Sequence, residues 1–480
     1  MALGRGYALP FIAGKQGGGG AGGEYGLLWQ QAINANVPPL TAEDFNSGQG
    51  SCLFTRGKSL YDAVETKPSL LIVPQIRGAG KLAVDIQSPV YFDVTRATTA
   101  TRVNSSGLIE SVASGVPRLD WYATPAAQDA AATGCPALLV EASGQNLALQ
   151  STFSTGWSTS FSGSVSGNAS GTNSPEGSGN AALLSVVTTA FSSIWRTITT
   201  VSGSVYTASV FAKKRDKDFL YFVNLAGNTA VAWFNLASGT VGTVGANTTA
   251  RIENYGNGWY RCSITQTAGG TTSYIQFGLS DANNTNAAAS SGSNFVFGAQ
   301  FELGSVATTY IPTTSGAVSR SADVISASGA LVSGLIGQTE GTIYAEVDLR
   351  SFANLGMIAS ISDGTASNRL EIYKFTDSKI RFDRTSATQS ALTAAASTAT
   401  YTAPTILKIA VGYMSGDTIM YINGVAATTQ QTPTFTFGAL TQVNIGSNRN
   451  NGQLFTDRIR AAALYTTRLS NDQLAELTRL

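Results

Sequence analysis

Between Phe295 and Leu303 every second residue is apolar: Phe295, Phe297, Ala299, Phe301 and Leu303. Side chains of an extended chain point alternately to opposite sides, so this period describes a strand with one buried face. Gly304 and Pro312 then end it in an extended exit segment. Short runs of the same kind recur at Tyr206–Ala212, Phe219–Val223, Tyr274–Gly278, Gly341–Asp348, Leu370–Tyr373 and Lys408–Tyr413, divided by clusters of Gly, Asn and Ser. Such runs favour strands over helices. Half-apolar strands must bury that face against another layer, and in a chain of short strands and turns without helical runs that layer is a second sheet. The expected fold class is therefore all-β, with two tandem antiparallel β-sandwiches after an irregular N-terminal adaptor and a small β-rich region.

Composition narrows the chemistry. The 480 residues contain no histidine, which removes Ser-His-Asp and Cys-His nucleophiles, HExxH zinc sites and every histidine general base. An enzyme built from this chain would have to work with carboxylates, Lys or Tyr. The net charge of +1 gives no global field to draw nucleic acid or an acidic membrane surface, so neither is an expected partner. No run approaches the roughly 20 apolar residues of a membrane span, so membrane insertion is not expected either. Cys52, Cys135 and Cys262 fit no metal spacing and read as small buried apolar residues. No metal and no cofactor is expected.

Taken in order, residues 1–50 combine an apolar and basic start with the hinge Gly17–Gly23 and the breakers Pro38 and Pro39. They read as a tail or as an adaptor that folds against another subunit. Gly14-Lys15 is not a phosphate loop, since Leu9 stands at the first glycine position and Gln16 follows the lysine. Residues 51–150 form the β-rich lead-in, with strands expected at Leu70–Val73, Leu82–Ile86 and Val90–Val94. Residues 151–323 make the first sandwich, in which Ser158–Asn180, nearly all Ser, Gly and Asn, is expected as a long surface loop. Residues 324–480 make the second. In it Asn423-Gly424 between apolar runs signals a tight hairpin, and Ser470-Asn-Asp-Gln473 is a capping box that starts a helix to Leu480.

Two resemblances attach to these segments. Glu253-Asn-Tyr-Gly-Asn-Gly-Trp-Tyr-Arg261 with the stretch from Phe297 to Asp323 resembles a module recurring in bacteriophage virion proteins, a jelly roll similar to carbohydrate-binding modules. The likeness covers roughly residues 90–323 and includes a lead-in containing Arg96, Arg118, Asp120 and Glu141, which read as ion pairs and turn caps. The order from Gly341-Thr-Ile-Tyr-Ala-Glu-Val347 through Asn423-Gly424 and Val443-Asn-Ile-Gly446 to Leu464-Tyr465 resembles the concanavalin-like, laminin-G-type lectin sandwich, also a jelly roll. Some relatives of that sandwich are glycosidases with two carboxylates on one strand. Glu346 and Asp348 share such a face, but Ser351 stands where those enzymes carry a third carboxylate, and the pair reads as the solvated side of a strand with Val347 and Leu349 inward.

Together these imply a non-enzymatic bacteriophage virion structural protein of tail fibre or spike type. It would be made in the bacterial cytoplasm, attached to other virion proteins through residues 1–50 and homo-oligomeric, often a trimer in such fibres. It would present lectin-like domains for adsorption to host cell-surface polysaccharide. The alternatives are a capsid head fibre or decoration protein without essential glycan binding, and a polysaccharide depolymerase. Pyranose rings stack on aromatic faces and their hydroxyls seek amide and charged groups. The candidate carbohydrate-binding residues are accordingly Trp157, Trp195, Trp233, Asp363, Asn448, Arg449 and Asn450, each weighed against a core or turn role. Asp363–Asn368 and Asn448–Asn451 match no ordered calcium-ligand loop and read as turns chosen for backbone shape.

Overall fold

A computed structural model describes residues 92–122, 136–160, 163–167, 172–186, 191–227, 229–286, 290–386 and 395–479, with 64, 66, 68–72, 76–77 and 81–82. The adaptor, its hinge, Cys52 and Cys135 lie outside the described residues. The architecture is all-β, with short helices at Ala330–Ser333 and Asn471–Leu477. The chain divides into two compact units, one of residues 97–114 and 143–321 and the other of 115–142 and 322–480 together with the chain up to Arg96.

In the unit built on 143–321, two six-stranded antiparallel sheets enclose one core. One sheet runs in space Ser158–Ser160, Ser193–Thr199, Thr272–Ser280, Phe219–Val223, Ala230–Asn235 and Thr240–Val244. The other runs Ser164–Ser166, Ala182–Val186, Gly292–Leu303, Val205–Lys213, Trp259–Thr267 and Thr249–Asn254. Alternation places Ile275, Phe277 and Leu279 inward with Leu220, Phe222, Phe234, Ile264 and Phe301. Each such side chain contributes about 1.5–3 kcal/mol by leaving water. The Ser-rich stretch is not wholly loop. Ser158–Ser160 and Ser164–Ser166 are edge strands, because backbone pairing with Ser193–Trp195 and Leu183–Ser185 needs no apolar side chain. Cys262 is fully buried in this core, and burial pushes its thiol well up.

The residues that carry the first resemblance form a buried polar knot. Positive φ at Gly256, Asn257 and Gly258 makes the turn that swings Trp259 inward, where its indole donates to the Asn173 carbonyl at 3.0 Å. Two residues on, Arg261 lies over the Phe211 ring at 5.2 Å and donates to the Thr308 carbonyl at 2.5 Å and to Ser209 Oγ at 3.0 Å. Glu302 accepts from the Thr308 amide and hydroxyl and from Gln300 Nε2 at 2.7–2.8 Å, while Gln300 Oε1 accepts from the Ile311 amide at 2.7 Å. The chain after the strand is thereby folded back upon it, with the Thr308 amide and carbonyl and the Ile311 amide held by side chains of the strands beneath.

Burial pushes the Glu302 carboxyl upward, and this outweighs the opposing pull of Arg261 and of its hydrogen bonds. A raised carboxylate favours the fold fully below its unfolded value and loses that contribution as pH rises through the folded value. Urea titrations of the wild type and Glu302→Gln at several pH values should therefore show a stability difference that is largest in acid and narrows toward neutrality. A difference that widens with pH would contradict this account of the knot.

The other unit pairs a sheet of eight strands with one of seven. The larger runs Val425–Ala426, Asp417–Ile422, Thr405–Met414, Glu340–Leu349, Asp457–Tyr465, Ala137–Val140 and Arg118–Asp120, with Leu70–Ile72 also on Asp457–Tyr465. The smaller runs Ala395–Ala396, Ile380–Thr385, Arg369–Lys374, Gly356–Ser362, Gln442–Ile445, Val324–Ser328 and Asp93–Thr95. Asn423 and Gly424 both take positive φ, as the tight hairpin requires, and Ser470 and Gln473 form the reciprocal capping box on Asn471–Leu477. Ile343, Ala345, Val347, Ile361, Ile372, Leu407, Val443 and Ile459 meet in the core between the sheets.

The lead-in expected over 51–150 thus supplies strands to both units. Leu70–Ile72, Asp93–Thr95, Arg118–Asp120 and Ala137–Val140 extend the second, whereas Ala100–Val103, Ile109–Val112 and Gly144–Asn146 belong to the first. Leu138, Leu139 and Val140 are all fully buried, and a strand apolar on both faces cannot stand alone. Placed beside Asp457–Tyr465, Ala137–Val140 and Leu70–Ile72 also cover an edge that would otherwise present unpaired amides and carbonyls.

A chain of buried charges fastens these pieces. Arg96 and Arg118 both pair with Asp323, Arg118 also with Glu141 at 2.8 Å, Glu141 with Arg350 at 3.4 Å, Arg350 with Asp457 at 3.4 Å, and Asp457 with Lys374. A separate pair joins Arg458 to Asp120 at 2.5 Å. The ion-pair reading of Arg96, Arg118, Asp120 and Glu141 is what the structure shows. Burial pushes Arg118 down, but Asp323 and Glu141 outweigh it and hold the guanidinium above its ordinary value. Asp323→Ala leaves two arginines buried without that carboxylate and should cost about 3–5 kcal/mol in urea unfolding. Glu110→Ala, which breaks the partly exposed pair with Arg102, should cost no more than about 1 kcal/mol. Equal losses would mean that the buried chain is not what holds the lead-in.

Candidate functional site

Of the three candidate tryptophans, two are committed inside the protein. Trp233, on Ala230–Asn235, is 6% exposed, donates to the Thr285 carbonyl at 2.6 Å and packs with Tyr221 and Val223. Trp157 is half-buried against Phe153 at 4.7 Å and Phe277 at 6.0 Å, with its indole N–H on the Gln150 carbonyl at 3.0 Å. Trp195 is different. It stands half-buried on the outward side of Ser193–Thr199, in T-shaped contact with Tyr274 at 5.5 Å.

The surroundings of Trp195 follow from register. Ile194 and Ile198 point into the core, so Trp195, Thr197 and Thr199 point out, and on the neighbouring strand Tyr274 and Gln276 do the same. Thr197 lies directly opposite Tyr274, Gln276 opposite Trp195, and Ser158 opposite Trp195 on the other side. Gln276 donates to Ser193 Oγ at 2.7 Å, which fixes its amide. The flank of Tyr274 is set by Gly227, where an added Cβ would come within 2.6 Å of the ring. The result is an indole and a phenol in edge-to-face contact, beside the exposed hydroxyls of Thr197 and Ser158. Tyr274, Gln276, Thr197 and Ser158 were not singled out from sequence, although the alternation of Tyr274 and Gln276 with Ile275 and Phe277 carries the signal.

The remaining candidates meet at one end of the seven-stranded sheet. Asp363 follows Ser362, whose register partner Gln442 donates to the Arg449 carbonyl at 3.1 Å. Asp363 accepts from the Thr365 amide and hydroxyl and from Asn368 Nδ2, each at 2.7 Å; burial would raise it, but these bonds hold the carboxyl below its ordinary value. Asn448 Oδ1 accepts from the amides of Asn450 and Gly452, a turn function, and Asn450 is exposed. Arg449 reaches over the sheet toward Glu371 at 3.6 Å, where Arg369 also pairs at 3.0 Å. Across the strands Asp383 stands opposite Glu371. Burial raises the Asp383 carboxyl, with Glu371 adding to the shift against the hydrogen bond from Tyr373. This face is polar and charged, with two arginines on Glu371 and Asp383 beside it.

Val347 and Leu349 point inward as expected, but Glu346 and Asp348 are not a solvated face. They are 9% and 1% exposed, and Arg460 holds Glu346 at 2.8 Å. The outward side of that strand is covered: Tyr344 lies in an apolar cluster with Leu71, Leu469, Leu474 and Leu477, beneath the final helix.

Residues 323–475 match the model of the Concanavalin A-like lectin/glucanases superfamily. The second unit is thus a lectin-type sandwich over that segment. No curated protein matches the chain. Among solved structures it is similar to the CBM40 of the Ruminococcus gnavus IT-sialidase, with 15% identity, 30% of this chain and 85% of that chain covered, and a TM-score of 0.27. Domain 4 of AbnA, a GH43 extracellular arabinanase from Geobacillus stearothermophilus, in complex with arabinotriose, gives 15% identity, 36% and 82% coverage and a TM-score of 0.29. The NanB sialidase from Streptococcus pneumoniae gives 15% identity, 30% and 25% coverage and a TM-score of 0.26. Fits at this level carry no conclusion about the ligand of this chain.

The different settings of the tryptophans predict different costs. Trp233→Ala removes a buried ring and a hydrogen bond and should destabilise by about 3–5 kcal/mol. Trp195→Ala should stay within about 1 kcal/mol of wild type. Chemical denaturation of the two variants checks this, and a Trp195 loss as large as that of Trp233 would make it a core residue.

Proposed function

We propose that the chain is a non-catalytic glycan-binding protein of a bacteriophage particle, attached through its N-terminal region and presenting its sandwiches to host cell-surface polysaccharide. The observation that carries the binding part is the Trp195–Tyr274 pair, a half-open aromatic pair bordered by the exposed Thr197 and Ser158. A pyranose offers a C–H face to such rings and hydroxyls to the amide and hydroxyl groups beside them. The lectin-type segment 323–475 is consistent with the same purpose. Support for the particle comes from the motif resemblance at 253–261 and 297–323, whose residues form the scaffold of the first sandwich. Binding without chemistry is favoured by the burial of Glu346 and Asp348 and by the absence of histidine from the sequence.

The full chain should bind bacterial envelope polysaccharide on a glycan array and in pull-downs with whole cells. Trp195→Ala and Tyr274→Ala should each weaken binding about tenfold, the size expected for one lost ring contact. Binding that is unchanged in both variants would remove this face from the function. Release of new reducing ends from the bound polysaccharide would replace the binding reading with a hydrolytic one. Immunogold labelling separates adsorption from decoration, since a tail position supports the first and a capsid position the second.

A further inference from the structure

The six strands that carry Trp195 and Tyr274 hold a single charged residue. It is Arg196, which has the inward parity of Ile194 and Ile198 and donates to the Gly156 carbonyl at 3.0 Å at the rim. Every other position on Ser158–Ser160, Ser193–Thr199, Thr272–Ser280, Phe219–Val223, Ala230–Asn235 and Thr240–Val244 is uncharged. The connections at the Tyr274 end are also uncharged in sequence: Thr200–Ser204, Asn224–Thr229 and Ala268–Thr271. Charge gathers at the far end, in Lys214-Arg-Asp-Lys-Asp218 and Asp281, beyond Ser280 and its partner Phe219. Ser280 stands six residue steps along the strand from Tyr274, about 20 Å of extended chain. That exceeds a Debye length at physiological salt. The outward side of the seven-stranded sheet in the other unit presents Arg369, Glu371, Arg381, Asp383 and Arg449 by contrast.

An ionised sugar substituent must give up water to lie against a protein and needs a cation or several donors in return. The Trp195–Tyr274 face offers aromatic rings and hydroxyls, and the one cation on these strands, Arg196, is bonded to the Gly156 carbonyl. Building on the glycan-binding reading above, we infer that this face takes neutral pyranose chains and rejects chains bearing carboxylate, sulfate or phosphate at the stacked unit. Discrimination comes from an unmatched charge, and needs no clash.

The full-length chain is titrated with oligosaccharides from dextran, galactan and mannan, and with oligogalacturonate, hyaluronate and chondroitin sulfate oligosaccharides. At least one neutral chain should bind, lose about tenfold in both Trp195→Ala and Tyr274→Ala, and hold its affinity from low to high salt. The acidic chains should bind at least about tenfold more weakly at this face. Thr197→Lys, which places a cation opposite Tyr274, should raise affinity for acidic chains in low salt while the fold is kept. An acidic chain that binds as tightly as the best neutral one, and depends on Trp195 and Tyr274, overturns the inference and leaves the glycan site standing. Binding of neither class, or binding indifferent to both substitutions, overturns the glycan site itself.

Discussion

Charge buried in the lectin-type unit is the constraint on which its construction rests. Arg96, Arg118, Arg350 and Lys374 alternate with Asp323, Glu141 and Asp457 along a continuous path. Removing such groups from water costs more than an exposed pair returns, so the path is tolerable only while every member is in place. Its members come from segments far apart in the chain, at 96, 118, 141, 323, 350, 374 and 457. Completing the path therefore requires the lead-in strands, the start of the lectin-type segment and its closing strand to be assembled together.

The other unit solves a similar problem without long ion pairs. Arg261, Gln300, Glu302 and Thr308 form a compact knot that returns the chain onto the strand it has just left. The motif by which this module is recognised is thus an architectural device. Its residues are buried and bonded largely to one another, with little exposed to offer a ligand. What the unit displays lies on the other sheet, among residues that form no motif.

The two outward surfaces differ in kind. On the seven-stranded sheet, Arg369 and Arg449 both pair with Glu371, Asp383 accepts from the Tyr373 hydroxyl, and Asp363 and Asn448 are consumed in shaping turns. On the six-stranded sheet, Trp195 and Tyr274 remain half-open among uncharged residues apart from Arg196, which is bonded to the Gly156 carbonyl. Aromatic rings flanked by hydroxyls suit a ligand that is itself amphipathic and uncharged, which is why the binding reading is placed there.

The sequence by itself determined the fold class, because period-two alternation in runs such as Phe295–Leu303 and Gly341–Asp348 leaves a chain few options besides packed sheets. It determined local devices too: the Asn423-Gly424 hairpin and the Ser470–Gln473 cap are written in a few adjacent residues whose backbone preferences act locally. It carried the inward placement of Val347 and Leu349, though not the burial of Glu346 and Asp348 opposite them, since what covers a strand comes from elsewhere in the chain. Only the tertiary structure decided that Ala137–Val140 and Arg118–Asp120 join a sheet made mostly of residues after 340, and that Ser158–Ser160 is a strand. Backbone pairing across hundreds of residues leaves almost no trace in side-chain pattern. The same holds for the candidate site. Trp157, Trp195 and Trp233 are alike in sequence, and their differing fates depend on whether a backbone carbonyl receives the indole N–H, as Gln150 and Thr285 do, and whether a second ring, Tyr274, arrives alongside.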